Sequence, residues 1–327
     1  MIKQFRSLNP LNILLLALIA VILRIGVLFQ LPDRLNFDII EPFARFLIAI
    51  PLENAFSPFY NVAIALVITL IQAFIFNRII NGYNLLGKPT FLPALLYVTA
   101  ASLFTPFVLL SPTLICNFII LWMIEKFLSI YRRNDALSVM FDLGMMVALG
   151  TLIYFPFIAM MPLLWLSLVI FRPFDWREWL AGIIGFITVF FFLGVYYYWH
   201  DSLGLFYKIW LPLAKPFPVN FRINWYDYLV LIPVVIILAL GIFQLRSNFF
   251  RSFVQTRKSF QLLFFMLVLG LISFYLKSDF RVYHFLLCAP PAAVMMAYYF
   301  VQAGKKRWIY EGLYLLLLLT IVYFQIF

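Results

Sequence analysis

Charge is scarce in this sequence, and acidic charge is scarcest. Only 11% of the 327 residues are charged while 65% are hydrophobic, and 13 Asp and Glu stand against 24 Lys and Arg. A soluble domain holds about 45–50% apolar and about 25% charged residues. So few charges cannot cover that much apolar chain in water, which excludes a soluble globular fold. Histidine and cysteine are nearly absent, with two of each. That leaves no basis for a histidine-rich metal or haem site. Cys116 and Cys288 both lie inside apolar runs and read as small buried thiols rather than a disulfide or zinc pair. P-loop, GxGxxG and HExxH motifs are missing too, and without a P-loop a self-contained ATP-driven transporter has little support.

What the sequence does have is long apolar runs. They are around twenty residues long and do not alternate, so they read as membrane-spanning helices rather than barrel strands. About eleven spans are expected, within a range of roughly nine to twelve. They lie near 11–31, 60–80, 91–109, 112–130, 136–154, 157–171, 179–199, 228–245, 260–276, 285–303 and 309–327. The fold class is all-α: a polytopic helical bundle forming one transmembrane domain over 1–327, with no repeat, low-complexity tract or separate soluble domain. The opening "MIKQFRSLNPLNILLLALIAVILRIG" has a basic start but no small-residue cleavage site, so it reads as an uncleaved first span.

Basic residues orient the bundle. With the N-terminus inside, only Arg34, Arg45, Lys208, Lys215, Arg222, Lys277 and Arg281 fall outside, while the remainder, apart from Arg24 within the first span, fall inside. The positive-inside rule then expects a cytoplasmic N-terminus and a periplasmic C-terminus in a bacterial inner membrane. The basic excess is explained by orientation, which argues against nucleic acid as a partner. The bilayer itself is the expected partner.

Two outer loops are long. Residues 32–58 carry Asp33, Asp38, Glu41 and Glu53, with Phe37, Ile40, Phe43, Leu47 and Ile50 at helical spacing, which suggests an interfacial helix. Residues 200–227 mix aromatic and basic residues with prolines at 212, 216 and 218. In a helix, Asp38 and Glu41 share a face. Such a pair can hold a divalent cation or act as a general base, or simply keep an interfacial helix wet. Asp33, closest to the first span, competes for the same role.

Arg24 lies about two turns from the outer end of its span, where it must snorkel, pair or serve a function. Asp142 is expected at the cytosolic interface or an adjacent helix end, and "FRPFDWREWLAG" reads as a headgroup-level anchor. The outer cations Lys208, Lys215, Arg222, Lys277 and Arg281 run against the orientation rule. Arginine and lysine at a bilayer surface suit a phosphate, or single headgroups. In "KSDFRVYHFLLCAPPAAV", Lys277, Arg281 and His284 precede Pro290 and Pro291, which are expected to disturb the next helix near its outer end and so open a cavity.

Three stretches, "LPDRLNFDIIEPF", "VLLSPTLICNFIILWMIEKFLSIYRRNDALSVMFDLGMMVALGTLIYFPFIAMMPLLWLSLVIF" and "FRVYHFLLCAPPAAV", together resemble the GT-C class of membrane glycosyltransferases. That resemblance implies a GT-C-like fold and sugar transfer from a polyprenyl-phosphate donor at the outer face. Asp38 or Asp33 would then be the base, supported by Glu41, with a divalent cation as the cofactor such acids could hold. Arg281, with Lys277, Lys215 or Arg222, would grip the donor phosphate, and His284 would share in that or lie beneath it. The departures are scattered acids and no acceptor domain. They leave a second reading, a non-catalytic membrane subunit or an anionic lipid or solute carrier that keeps the fold. The whole chain, including "INGYNLLGKPTFLPALLYV" and "FRPFDWREWL", also resembles a family of bacterial multi-pass inner-membrane proteins with no assigned activity.

Overall fold

The computed structural model describes residues 1–29, 57–131, 133, 135–210, 212, 226–248, 250, 252–276, 281–302 and 307–326. Among these residues there are helices and turns but no strand. After one turn, α1 (Ile2–Phe5), the chain runs through α2 (Leu11–Ile22) and α3 (Ile25–Phe29), broken at Leu23 and Arg24. Next come α4 (Pro58–Gly82), α5 (Leu92–Ala100), the single turn α6 (Thr105–Val108), α7 (Pro112–Ile130) and α8 (Leu137–Ile153). A 3-10 turn, Phe155–Met160, leads into α9 (Met161–Phe171), α10 (Trp176–Trp199) and the short α11 (Leu203–Lys208). The last part holds α12 (Leu231–Ser247), α13 (Val254–Ile272), a 3-10 segment Val282–Cys288, α14 (Ala289–Val301) and α15 (Arg307–Ile326).

Seven segments among the described residues are long and apolar enough to cross a bilayer: 58–82, 112–130, 176–199, 228–247, 254–276, 282–301 and 308–326. Each falls on an expected span. The other four expected spans form shorter or broken helices, for local reasons. The first breaks at Arg24, and the stretch near 91–109 stops at Ala100 and restarts at Thr105. Pro156 interrupts the passage from α8 to α9, because proline removes a backbone donor. The expected interfacial helix in 32–58 lies outside the described residues, save for its last two, and so does most of the second loop beyond Trp210.

The chain around α14 forms the axis of the bundle. All but three of residues Val282–Val301 are buried, a far larger share than in any of the other six long segments. Its composition explains why. Ala289, Ala292, Ala293 and Ala297 give a smooth surface on which α5, α12 and α13 lie close. Gly241 of α12 is one contact point, since a Cβ there would stand 2.6 Å from the Met295 carbonyl oxygen. Pro290 and Pro291 do not kink this helix. They occupy its first turn, where the backbone N–H has no intrahelical partner in any case.

A second tight seam joins α8 to α10. A Cβ on Gly144 would lie 2.0 Å from the Gly182 carbonyl oxygen, and one on Gly185 would lie 2.1 Å from that of Phe141. With no hydrophobic drive between helices in lipid, such close backbone approach supplies the packing.

Contacts sort the turns into two ends. At one end, the amine of Met1 pairs with Glu311 at 2.9 Å, Arg6 donates to the Val301 carbonyl, and the Phe91 N–H donates to Phe5. Burial and the neighbouring Arg6 hold the Lys88 ammonium below its ordinary pKa. The same end holds the Lys126–Asp142 pair, so Asp142 meets the end of an adjacent helix. It also holds a clasp in which Arg172 grips both carboxylate oxygens of Glu178, while Glu178 accepts from the Ala136 N–H. "FRPFDWREWLAG" is therefore a joint between α8, α9 and α10, with Trp176 left exposed beside it. The other end gathers Val27, Val62 and Val108, the Asn61 contact to the Leu110 N–H, and the Tyr226–Tyr323 hydroxyl pair.

Candidate functional site

The 3-10 segment that introduces α14 sets a problem. Tight 3-10 geometry inside a bilayer leaves backbone carbonyls that no water reaches. Polar side chains from the surrounding helices meet them. Thr113 donates to the Tyr283 carbonyl at 2.9 Å, and Asn117 donates to that of Leu286 at 3.2 Å. Asn117 also donates to the Tyr97 hydroxyl at 3.3 Å, Tyr97 donates to Gln72 at 2.8 Å, and Gln72 donates to the Leu114 carbonyl at 2.7 Å. These residues lie on α4, α5 and α7, so one polar column ties three helices to the axis.

Arg24 stands beside this column. It is 1% exposed and does not snorkel. One terminal nitrogen donates to Thr69 at 3.0 Å and the other to the Ala20 carbonyl at 3.1 Å. Among the described residues no carboxylate pairs with it.

His284 is also sealed in, at 1% exposure. Its Nε2 lies 2.9 Å from the Gly270 carbonyl oxygen and 3.0 Å from Ser273 Oγ. A carbonyl only accepts, so Nε2 carries the proton and donates. Tyr154 Oη stands 2.9 Å from Nδ1 on the other side. Both ring nitrogens are thus used in joining three parts of the bundle, and His284 lies beneath the surface.

On the opposite flank of the same segment lies a cavity of about 610 Å³. That volume is within the roughly 300–1,000 Å³ range of ligand sites. Phe104, Phe274 and Phe285 form its outer part, while Leu238, Ala292 and Met296 line its depth. Among the described residues no charged side chain lines it. Val235, Leu271 and Tyr275 on its wall are 59%, 44% and 46% exposed, so it opens sideways between α12 and α13. Tyr275 and Phe285 flank the stretch that carries Lys277 and Arg281 in sequence.

Of the site residues expected from the sequence, the structure brings Arg281 and His284 together on one turn, where the His284 N–H donates to the Arg281 carbonyl at 3.0 Å. Arg281 is half-buried at the head of that turn, and His284 faces inward. Asp33, Asp38, Glu41, Lys277, Lys215 and Arg222 lie outside the described residues. Cys116 and Cys288 are buried thiols not joined in a disulfide, and Cys288 lines the cavity. The sequence reading passed over Gln72, Tyr97, Asn117 and Tyr154. An isolated amide inside an apolar run was the available signal, because such groups face the bundle interior.

Residues 37–327 match a family of unknown function, DUF6427. The chain belongs to this family. No curated protein and no solved structure matches it. Membership therefore covers the whole bundle from within the first loop onward, the polar column, the sealed histidine and the side-opening cavity included.

Proposed function

We propose that this multi-pass membrane protein handles a polyprenyl-phosphate-linked sugar at the outer face of a bacterial inner membrane, and that it is a GT-C-like glycosyltransferase. The observation that carries this reading is the apolar cavity, which opens to lipid and reaches the turn headed by Arg281. The isoprenoid chain enters between α12 and α13. Arg281 holds the phosphate, with Lys277, Lys215 or Arg222 adding charge that stabilises the leaving group. Asp38 or Asp33 takes the proton from the acceptor hydroxyl as it attacks the sugar, and Glu41 supports it or helps hold a divalent cation.

In this reading the chain passes the bilayer about eleven times, with the four shorter segments completing the alternation. The N-terminus is cytoplasmic. Grouping of Met1, Arg6, Lys88, Lys126 and Arg172 at one end supports that orientation. The test is a reconstituted transfer assay with polyprenyl-phosphate sugars. Asp38→Asn or Asp33→Asn is expected to abolish turnover, and full activity in both would refute the base assignment. Arg281→Ala is expected to weaken donor binding.

A second reading has its own support. Among the described residues the cavity wall carries no charged side chain and only the hydroxyls of Tyr228 and Tyr275 and the buried Cys288 thiol, and both nitrogens of His284 are occupied. A non-catalytic subunit or lipid carrier needs no more than that. Co-purification of a stoichiometric partner, with bound lipid and no transfer, selects this reading.

A further inference from the structure

A second cavity, of about 480 Å³, lies at the opposite end of α12 and α13 from the first. Its rim is polar and basic: Arg246, Ser252, Thr256, Arg257 and Gln261. Its floor is apolar, running through Phe260 and Phe264 to Met295 on the central helix. From Arg257 to Phe264 is about 10 Å along a helix, the length of several methylenes.

The charge here is one-sided. Between residues 228 and 276 the sequence holds no Asp or Glu at all, but it does hold Arg246, Arg251, Arg257 and Lys258. Of the two acids after α9, Asp175 caps the start of α10 by accepting from the Arg177 N–H, and Glu178 is taken up by Arg172. Orientation alone would place these cations on an exposed loop. It does not account for two arginines set over a cavity that reaches the bundle axis. Two guanidinium groups suit the oxygens of a phosphodiester, hydroxyl and amide groups suit its ester and glycerol oxygens, and the apolar floor suits the start of an acyl chain.

We propose that this cavity is a binding site for an anionic phospholipid of the inner leaflet, with its phosphate between Arg246 and Arg257 and an acyl chain against Phe260 and Phe264. The occupant would fill the gap between α12, α13 and α14 and hold them in register. The choice of leaflet rests on the orientation proposed above, whereas the site itself does not depend on what the other cavity holds.

The full chain, purified in detergent and stripped of lipid, is titrated with short-chain phosphatidylglycerol and phosphatidylcholine while bound lipid is counted by native mass spectrometry. Phosphatidylglycerol is expected to bind in preference. Arg246→Gln, on an exposed side chain, lowers its affinity roughly fivefold, and Arg246→Gln with Arg257→Gln lowers it roughly 30-fold and removes the preference. Thr256→Trp keeps the charge but fills the cavity, and is expected to abolish binding of the acyl chain. Equal affinity for the two lipids, an unchanged preference in Arg246→Gln, or displacement by millimolar inorganic phosphate as effective as by lipid overturns the proposal.

Discussion

Asn117 of α7 donates its side-chain amide to the carbonyl of Leu286, 3.2 Å away and 169 positions later in the chain. That one bond explains why an amide lies in the middle of an apolar run. The axis helix begins with a 3-10 segment, and its carbonyls need donors that lipid cannot supply. Asn117→Leu keeps the branched outline of the side chain but strands the Leu286 carbonyl and one partner of Tyr97. The expected loss is about 1–2 kcal/mol in thermal unfolding in detergent. An unchanged midpoint would mean that the column contributes nothing.

The seam between α8 and α10 is expected to tolerate no side chain. Gly144→Val or Gly185→Val must push two backbones apart, because the added Cβ meets carbonyl oxygens at 2.0 Å and 2.1 Å. Loss of about 2–3 kcal/mol or failure to accumulate in the membrane is expected. Gly312→Ala, with open space around it, is the control and is expected to be neutral or stabilising by up to ~1 kcal/mol. Equal expression and melting of all three variants would contradict the geometry.

The two side-chain ion pairs at the basic end differ in worth. In the Arg172–Glu178 pair, the side chains are 16% and 4% exposed, and the carboxylate also satisfies the Ala136 N–H. Glu178→Ala is expected to cost about 3 kcal/mol. The Lys126–Asp142 side chains are 28% and 35% exposed, and Asp142→Ala is expected to cost no more than about 1 kcal/mol. Unfolding of the two variants in parallel checks the ranking.

His284→Gln separates a structural from a phosphate-binding role. With both ring nitrogens bonded inside the bundle, the change is expected to lower stability by about 1–3 kcal/mol while lipid affinity, measured on the folded fraction, stays within roughly twofold. A selective loss of affinity at constant stability would place His284 at the phosphate.

The long helices were legible because seven of the runs are apolar along a full bilayer length. The interruption at Pro156 was legible too, since proline divides the runs 136–154 and 157–171, but the break at Arg24 was not, because a hydropathy reading counts apolar residues and does not see a helix end within a run. Nor does it tell which helix is central. In lipid an outward face is as apolar as an inward one, so Val282–Val301 betrays its position only through small residues and the polar column that meets its start. Arg24 was legible as costly. Its burial against Thr69 was not, because the partner is a single hydroxyl 45 positions away. Arg281 and His284 stand out in sequence as one cluster, yet three residues apart on a turn they differ in surroundings, one half-buried and one sealed inside.

The account turns on the outer cavity as the seat of a lipid chain. The most direct measurement is the affinity of the purified full chain for a polyprenyl phosphate, in wild type, Val235→Trp and Ala292→Trp. Val235 stands at the side opening and is 59% exposed, so its replacement blocks entry without disturbing the core, whereas Ala292 lines the depth. Binding in the wild type that falls at least roughly tenfold in Val235→Trp, and further in Ala292→Trp, is the expected result. Unchanged affinity in both variants, with both folded, would contradict it.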